Sequence, residues 1–386
     1  MLSGLEWWQI VLGAIVGLII LVILVIIHEL GHMIVALRNG VDVEEFGIGF
    51  PPQAKVLGKY KKTLITLNWL PLGGFCKMKG ESDDAKGKGT YGAASFWAKT
   101  KILFAGVFMN FLTAVVLFMV LAFFGIPKLS ANQFAVAGDN HGTKGIVTID
   151  KVVKGSAADK AGLRAKDNIV SVGGVKTEFS TQVPELTKER AGKKVTVVVE
   201  RDGKEKSIDV KLAKDNKDGK GILGVTTYNS QSATIKATWS APIVAIIDTL
   251  QLMWMTIAGI GGMIGNLFMG LWDLVTGSGA ANTELAAVSD SVSGPIGILG
   301  YIFPTALAGG PLTLLYISAI IALSLAVMNI LPIPGLDGGR WYLMAWYRLR
   351  GKKLTEEKEA TIVSYGMLVL FAIIILVTIA DIWKLF

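Results

Sequence analysis

The chain has 386 residues, of which 52% are hydrophobic and only 18% are charged, and its formal net charge is +8. Soluble proteins carry about 25% charged residues, and the mean hydropathy of this chain is +0.53. These values exclude a soluble enzyme, a disordered chain and a secreted scaffold held by disulfides. The positive charge does not indicate a nucleic-acid partner, because membrane proteins collect Lys and Arg in their cytoplasmic loops. The composition predicts an integral membrane protein.

Charge-free stretches predict four membrane-spanning helices. A bilayer core of about 30 Å takes about 20 apolar residues as a helix. The stretches that meet this length are residues 7–27, 102–126, 311–331 and 360–380. We do not expect the first to be a cleaved signal peptide, because no basic segment precedes it and no small-residue cleavage pattern follows it.

A further uncharged run, residues 249–272, is rich in Gly, Met and Trp. A lone fifth crossing there would place the basic segment 340–358 outside the cell, so we expect an interfacial or re-entrant amphipathic helix over residues 241–275. Basic residues also dominate residues 38–101, with eleven Lys or Arg against six Asp or Glu. The positive-inside rule therefore places both basic segments in the cytoplasm, and the N-terminus and residues 127–310 outside.

Residues 130–212 have the pattern of a soluble α+β domain. Turns separate short β-type runs at 145–149, 168–172, 195–199 and 207–212, and a helix is expected over 181–191. The run from Val153 to Leu163, followed by Asp167-Asn-Ile-Val, resembles a PDZ domain of the bacterial protease-associated type, with Lys166 where such domains typically have Gly. PDZ domains bind an extended peptide or a free C-terminus at a sheet edge. The alternative is a steric cap that binds nothing.

The motif His28-Glu29-Leu30-Gly31-His32 predicts a zinc site. On a helix, positions i and i+4 share a face, so both imidazoles can reach one ion while Glu29 lies near the water that the ion activates. The motif follows 21 uncharged residues, and ionisable groups at membrane depth are costly without a functional reason. The alternative is a helix that ends at the interface with exposed polar residues.

Catalytic zinc needs a third protein ligand and an open position for water. The third histidine, His141, lies in the outer region, and the single cysteine, Cys76, stands alone in a loop. The remaining candidates are carboxylates near membrane depth: Asp248, Asp273, Asp290, Asp337 and Asp381. Asp337 stands out because two prolines and flanking glycines surround it, and such irregular backbone must be buried in protein or face a water-filled cavity. With an even number of crossings between them, His28 and Asp337 reach the same depth.

The HELGH motif, the pattern Asn-x-x-Pro-x-Pro-x-Leu-Asp-Gly-Gly from Asn329 to Gly339 and the inserted PDZ domain together resemble the site-2 proteases. The arrangement resembles the bacterial regulator-of-sigma-E protease group. This resemblance implies a zinc metalloendopeptidase whose Zn²⁺ is held by His28, His32 and Asp337, with Glu29 as general base.

The same resemblance extends to residues around the site. It implies that Asn329 contacts the substrate backbone or stabilises the oxyanion, and a helix–helix hydrogen bond is the alternative. Gly106 and Asn110 resemble a family pair near the site, and we expect Asn110 to pack there or to support a ligand. The segment Ser293-Gly-Pro-Ile-Gly297 resembles a family feature on the outer side, although a turn into the third span would also explain it.

Residues 41–80 resemble the membrane-re-entrant β-hairpin of this family. A transmembrane helix hides its peptide carbonyls in hydrogen bonds, so hydrolysis requires local unwinding. A strand edge could then pair with the freed backbone groups of the substrate. The alternative is an ordinary cytoplasmic hairpin.

The predicted fold is therefore a polytopic α-helical membrane protein with about four transmembrane helices, a re-entrant β-hairpin and an inserted extracytoplasmic PDZ domain. We expect an N-terminal membrane region (1–126, with the zinc helix at 7–37), the PDZ domain (130–212), a connecting region (213–310) and a C-terminal membrane region (311–386).

The expected function is intramembrane cleavage of single-pass membrane proteins, after a first cut outside, in the bacterial plasma membrane. The PDZ domain would filter or dock substrates, and the zinc site would lie toward the cytoplasm. Anti-sigma-factor-like proteins and signal-peptide remnants fit as substrates, and the lipid bilayer is the other partner. One alternative is a non-proteolytic adaptor that binds substrates through the PDZ domain. Another is a zinc transporter or a metal-dependent membrane hydroxylase, although these usually need more intramembrane histidines or acids than the two histidines of this chain.

Overall fold

The computed structural model describes residues 5–130, 132–216, 221–276, 293–352 and 354–385. The chain divides into two compact units, one made of Met1–Phe118 with Thr249–Phe386 and the other of Met119–Asp248. The candidate carboxylate Asp290 lies outside the described residues.

Helices make up most of the first unit, and two short ones belong to the second. In chain order they are α1 (Trp7–Arg38), α2 (Phe96–Phe124), α3 (Ala157–Ala161), α4 (Gln182–Lys188), α5 (Ala241–Thr276), α6 (Pro295–Ala308), α7 (Pro311–Ile330), α8 (Asp337–Leu349) and α9 (Glu356–Leu385).

In the described part of the chain, five helices are long and apolar enough to cross a membrane: α1, α2, α5 over Ala241–Gly270, α7 and α9. The four predicted spans coincide with α1, α2, α7 and α9, with ends that differ by a few residues. The expected helix at 241–275 is also present, as the continuous helix α5. These helices are those of a polytopic membrane protein, whereas the count of four crossings stays a prediction.

Glycines allow α1 to pack closely against its neighbours. A Cβ atom at Gly17 would lie 2.3 Å from a ring carbon of Phe303 on α6, and one at Gly31 would lie 2.5 Å from the carbonyl oxygen of Ala105 on α2. Small residues let helix backbones approach in this way in membrane proteins. The approach at Gly31 packs α1 against α2 within the predicted zinc motif itself.

The Ser293–Gly297 segment packs against Asp381 near the end of α9. The backbone N–H of Gly297 donates a hydrogen bond of 2.8 Å to the buried Asp381 carboxylate, and a Cβ atom at Gly294 would lie 2.7 Å from it. A carboxylate at a helix N-terminus satisfies free amides and the helix dipole. The segment thus begins α6 and contacts α9 through Asp381. It is more than the simple turn into the third span that was the alternative explanation of its sequence.

Two long antiparallel strands, β1 (Val43–Tyr60) and β2 (Thr63–Met78), form the predicted hairpin. Each strand changes partner along its length, so residues 45–48 of β1 lie between residues 64–67 and residues 74–77 of β2. The remaining part of β1 pairs with the other side of residues 64–68. The hairpin is therefore a small sheet of four segments, in which residues 74–77 form an edge beside α1.

The second unit is built on an antiparallel sheet. Its strands are β3 (Ile126–Pro127), β4 (Ile146–Val152), β5 (Asn168–Val172), β6 (Val175–Lys176), β7 (Lys194–Arg201), β8 (Lys204–Lys211), β9 (Val225–Gln231) and β10 (Thr234–Ile235). The main sheet has the order β8-β7-β5-β4-β9 with β6 beside β5, while β3 pairs with β10. Its buried core is rich in valine, with Val147, Val172, Val197, Val199 and Val210 fully buried.

The four predicted strands and the predicted helix of this unit are confirmed with small changes at their ends. The predicted boundary at residue 212 is too early, because β9 pairs with β4 and forms one edge of the sheet. Alternate residues of β9 are exposed and the strand is mostly polar, so its strand signal in the sequence was weak. Lys166 has φ of +70°, in the left-handed region that favours glycine, which is the residue that the PDZ resemblance expected at this position.

A buried ion pair holds two segments of this unit together. Asp167 is 1% exposed and accepts hydrogen bonds of 2.6 Å from Nε and Nη2 of Arg201 and of 2.8 Å from the backbone N–H of Arg164. Burial alone would raise the pKa of this carboxyl, but these hydrogen bonds and the charge of Arg201 outweigh it and hold the pKa below its usual value. The carboxylate therefore stabilises the fold at neutral pH, and this contribution is lost as the pH falls through the lowered pKa.

We expect Asp167→Asn to destabilise the Met119–Asp248 unit by about 2 kcal/mol at neutral pH, because Arg201 loses its charged partner. Pulse proteolysis of the full-length protein in urea measures this, by following cleavage within residues 119–248. Asp209→Asn is the matched control, since its ion pair with Lys194 is exposed and should contribute little. The difference between wild type and Asp167→Asn should narrow below about pH 4, where the ordinary Asp titrates. Equal losses in the two variants would contradict this role.

Candidate metal centre

The two histidines of the HELGH motif lie one turn apart on α1 and are both buried. Their Nε2 atoms are 3.1 Å apart. Each Nε2 also lies close to Oδ2 of Asp337, at 3.1 Å from His28 and 3.2 Å from His32. The structure thus brings together three of the predicted site residues, in the one arrangement of potential metal ligands found among the described residues.

Asp337 reaches this position because α7 stops at Ile330 and α8 starts at Asp337 itself. The two glycines that follow allow the tight turn between the helices. A Cβ atom at Gly338 would lie 2.3 Å from the carbonyl oxygen of Ile330, and one at Gly339 would lie 2.0 Å from that of Ile333. Glycine is therefore required at both positions after Asp337, because a side chain at either would clash with the backbone of the turn that brings the carboxylate to α1.

Hydrogen bonds to Nδ1 orient both imidazoles. Nδ1 of His32 lies 2.8 Å from the backbone carbonyl oxygen of Ile102 on α2, so it carries the proton and donates. Nδ1 of His28 lies 3.2 Å from Nδ2 of Asn110, also on α2. Within the described part of the chain Oδ1 of Asn110 is buried without a partner, and the orientation that turns it toward His28 lets it accept from Nδ1–H. Both Nε2 lone pairs are then free for a metal.

The spacing of the three ligand atoms suits zinc. Four tetrahedral ligands about 2.0–2.1 Å from Zn²⁺ lie about 3.3 Å from one another, close to the 3.1–3.2 Å seen here. Oδ2 of Asp337 is buried and receives no hydrogen bond within the described residues, although two nitrogens face it. Two nitrogen lone pairs and a carboxylate oxygen without a proton between them form a donor set that a cation would complete.

Gly106 on α2 forms the wall of this centre. A Cβ atom there would lie 2.5 Å from Nε2 of His32 and 2.6 Å from Cε1 of His28. Any side chain at this position would displace the imidazoles that face Asp337. The motif comparison predicted Gly106 and Asn110 as a pair near the site, and the structure supplies the separate reason for each: one leaves room for the rings and the other orients one of them.

Glu29 lies beside the centre and faces the β-hairpin. Its carboxylate lies near the backbone N–H of Cys76 and near both histidines and Asp337. A Cβ atom at Gly74 would lie 3.7 Å from Cγ of Glu29. The carboxylate therefore sits between the ligand cluster and the edge segment 74–77 of the hairpin, where a substrate backbone could reach both.

Within the described chain, the other carboxylate candidates contribute no atom to the ligand cluster. Asn329, near the end of α7, donates a hydrogen bond of 3.0 Å from Nδ2 to the carbonyl oxygen of Leu325, and its predicted contact with substrate stays a prediction. Asp248 is fully buried and accepts a hydrogen bond of 3.1 Å from Gln133. Asp273 and Asp381 contribute no atom to the cluster.

Sequence reasoning missed the role of Arg340, one turn after Asp337. Its Nε lies 2.7 Å from a carboxylate oxygen of Glu359 on α9, and its Nη2 donates to the backbone carbonyl of Glu81. The guanidinium also lies 4.8 Å from the ring centroid of Tyr91. Arg340 therefore holds the start of α8 against α9 and the loop after β2. The sequence did offer one indication, because Arg340 directly follows the Asp-Gly-Gly turn. For the topology, it was counted only as one of the basic residues of segment 340–358.

Comparison with known proteins agrees with this site. The family model described as Peptidase family M50 matches residues 16–373. A Fusobacterium nucleatum protein named "Putative zinc metalloprotease" is 28% identical over 378 residues, covering 96% of this chain and 98% of its own. "Regulator of sigma-W protease RasP" of Bacillus subtilis is 26% identical over 445 aligned positions, covering 94% of this chain and 96% of its own. The similarity therefore includes the helices that carry all three ligand atoms.

We expect Gly106→Ala to weaken zinc binding by about 10- to 100-fold, the usual cost of disturbing the groups that orient metal ligands, because its Cβ would displace both imidazoles. Zinc content of the purified protein after dialysis against a graded chelator measures this. Gly259→Ala is the matched control, since a Cβ atom at that helical glycine of α5 meets nothing within 4 Å. Wild-type zinc retention in Gly106→Ala would contradict the geometry of the site.

Proposed function

The chain belongs to peptidase family M50, the site-2 protease family of zinc metalloproteases, and from this membership we propose that it cuts single-pass membrane proteins within their transmembrane segments. The observation that carries the proposal is the meeting of two α1 imidazoles and the Asp337 carboxylate within 3.2 Å. Polar ligands brought together on helices apolar enough to cross a membrane suit a hydrolase that works inside the bilayer.

We assign roles to the residues as follows. His28, His32 and Asp337 hold the Zn²⁺ ion, which when bound supplies the Lewis acidity that activates water and polarises the scissile carbonyl. Glu29 accepts a proton from the attacking water and then gives it to the leaving amide nitrogen, so that the peptide bond is replaced by a carboxylate and an amine. Asn329, whose Nδ2 donates a hydrogen bond to the carbonyl of Leu325, is proposed to contact the substrate backbone.

The β-hairpin is proposed to hold the substrate in an extended form. The backbone N–H and C=O groups of a transmembrane helix are hydrogen-bonded to one another, so the helix must unwind before a peptide bond can be cut. A strand edge can then form hydrogen bonds with the freed backbone groups. The edge segment 74–77 lies beside Glu29, which supports pairing at that edge. Large apolar side chains on the hairpin, among them Phe50, Leu57 and Trp69, are exposed, as a membrane-inserted element requires.

The site also bears on the proposed topology. Since His28 and Asp337 meet, the helices between them must make an even number of full crossings. Helices α2 and α7 supply two, so we propose that α5 lies at the interface or re-enters the membrane. The positive-inside rule then puts the metal centre toward the cytoplasm of the bacterial cell and the Met119–Asp248 unit outside.

The Met119–Asp248 unit is proposed to contain a PDZ domain that keeps large substrates from reaching the metal centre. Its strand β9 lies at an edge of the sheet and so could pair with an extended peptide. Residues 221–224, just before β9, would then lie near the end of such a peptide. Anti-sigma-factor-like proteins and signal-peptide remnants, both shortened outside the membrane, are the substrates that such a filter would admit.

We expect Glu29→Gln to lower cleavage of a single-pass model substrate by about 10²- to 10⁴-fold, the usual contribution of a general base, while the protein keeps its zinc. Asp337→Ala should abolish cleavage and also deplete zinc, because it removes a ligand. Cleavage in proteoliposomes and metal analysis of the same preparations measure the two effects. Asp273→Ala is the carboxylate control and should change neither.

The rival functions give different results in this experiment. An adaptor would keep its biological activity in Glu29→Gln, and wild-type protein would hold zinc yet leave several pre-shortened substrates uncut. A transporter would move zinc across the vesicle membrane in stoichiometric amounts. Either result would overturn the protease assignment for this chain.

We expect excision of residues 144–231 to let the enzyme cut substrates that keep their outer domain. The cut ends lie together, since Oγ1 of Thr143 donates a hydrogen bond of 3.1 Å to the carbonyl of Ser232, so a short Gly-Ser link can rejoin them. For a size filter, kcat/KM on a pre-shortened substrate should stay unchanged. A raised KM on that substrate would indicate docking instead, and unchanged rejection of full-length substrates would contradict the filter.

A further inference from the structure

We propose that helix α8, with the cavity at its C-terminal end, binds the phosphate headgroup of an anionic phospholipid. This proposal needs only that the chain is embedded in a membrane, so it does not depend on the proposed cleavage reaction. It concerns the C-terminal half of α8, at the opposite end of the helix from Asp337, and it would give the helix that carries Asp337 a fixed position at the membrane surface.

One side of α8 packs on α2. Nε1 of Trp341 donates a hydrogen bond of 3.0 Å to Oγ1 of Thr100, and its ring lies 5.5 Å from that of Phe104. Met344, almost one turn later, is buried. This side fixes which residues of α8 can point away from the protein.

The other side of α8 carries an exposed apolar stripe. Tyr342, Trp346 and Leu349 lie at positions i, i+4 and i+7 of the helix and are 44%, 53% and 84% exposed. Positions with this spacing form one face. Aromatic residues are typical of the boundary between lipid and water, so the stripe has the composition of a helix that lies in the plane of the interface.

Basic residues follow the stripe and surround a cavity. The cavity has a volume of about 320 Å³ and its lining includes Lys99, Arg348 and Lys352, with Asp83 as its acidic member. Lys99 is buried and forms an ion pair with Asp83, so these two charges balance. Arg348 and Lys352 then leave the cavity with an excess of positive charge.

The guanidinium of Arg348 is held in place for a ligand. It lies 4.6 Å from the ring centroid of Phe96, the first residue of α2, and stacking on an aromatic ring limits its freedom. Guanidinium groups bind phosphate oxygens through paired N–H donors. A positively charged cavity at the C-terminal end of a helix that also carries an exposed aromatic stripe matches a phosphate that is joined to acyl chains, because the stripe would hold the helix at the lipid boundary and the cavity would bind the phosphate.

Lipid retention tests the proposal. The full-length protein is extracted from bilayers that contain equal amounts of phosphatidylglycerol and phosphatidylcholine, and native mass spectrometry counts the lipids that stay bound. Each basic residue near an anionic surface contributes about a fivefold gain in affinity. We therefore expect the wild type to retain phosphatidylglycerol preferentially, and Arg348→Gln/Lys352→Gln to bind it at least about tenfold more weakly.

The matched control is Lys204→Gln/Lys206→Gln, which removes the same charge from the exposed surface of β8 and should keep the wild-type preference. Zinc content confirms that each variant has kept its fold around the metal centre. Equal retention by Arg348→Gln/Lys352→Gln and the wild type would overturn the proposal, as would equal loss in the control. Displacement of the bound phosphatidylglycerol by inorganic phosphate alone would show an anion site without lipid selectivity and would also overturn it.

Discussion

The contact of two imidazoles with one carboxylate is the constraint on which the rest of the first unit depends. Three ligand atoms can lie within about 3 Å of one another only if α1 and the start of α8 approach at matching heights, with α2 packed against α1 beside them. Glycine makes each approach possible: Gly31 and Gly106 between α1 and α2, and the Gly-Gly pair after Asp337. Burial of such a group of polar atoms is unfavourable without a partner, so the fold around them is built to present them to an ion.

The residues around the ligands either orient them or support them. Ile102 and Asn110 meet the far nitrogens of the imidazoles, which decides which nitrogen is left for the metal. Arg340, one turn after Asp337, holds the start of α8 through Glu359 on α9 and through the backbone carbonyl of Glu81 in the loop after β2. Near its other end, α9 contacts the start of α6, where Asp381 accepts a hydrogen bond from the backbone N–H of Gly297. The helix that holds Arg340 through Glu359 is thus itself held at both ends.

Much of this centre could be predicted from the sequence, because its chemistry is encoded in short motifs. His28 and His32 share a helix face by spacing alone, and the prolines and glycines around Asp337 predict irregular backbone. The clash that requires glycine at 106 could not be derived, since it depends on where α2 lies against α1. The same holds for the four-segment hairpin, whose strands change partners within one run, and for β9, whose polar residues fit an edge strand. Long-range packing decided each of these.

The three clustered ligand groups are also separated along the chain, with roughly 300 residues between His32 and Asp337. At about 5–20 residues per second, a ribosome needs about 15–60 s to make this interval. During that time α1 can already reside in the membrane with both histidines, but the carboxylate that completes the ligand set does not yet exist. A chain that ends before Asp337 therefore lacks one of the three clustered ligand atoms, so the metal centre cannot be completed until most of the chain, including the whole Met119–Asp248 unit, has been synthesised.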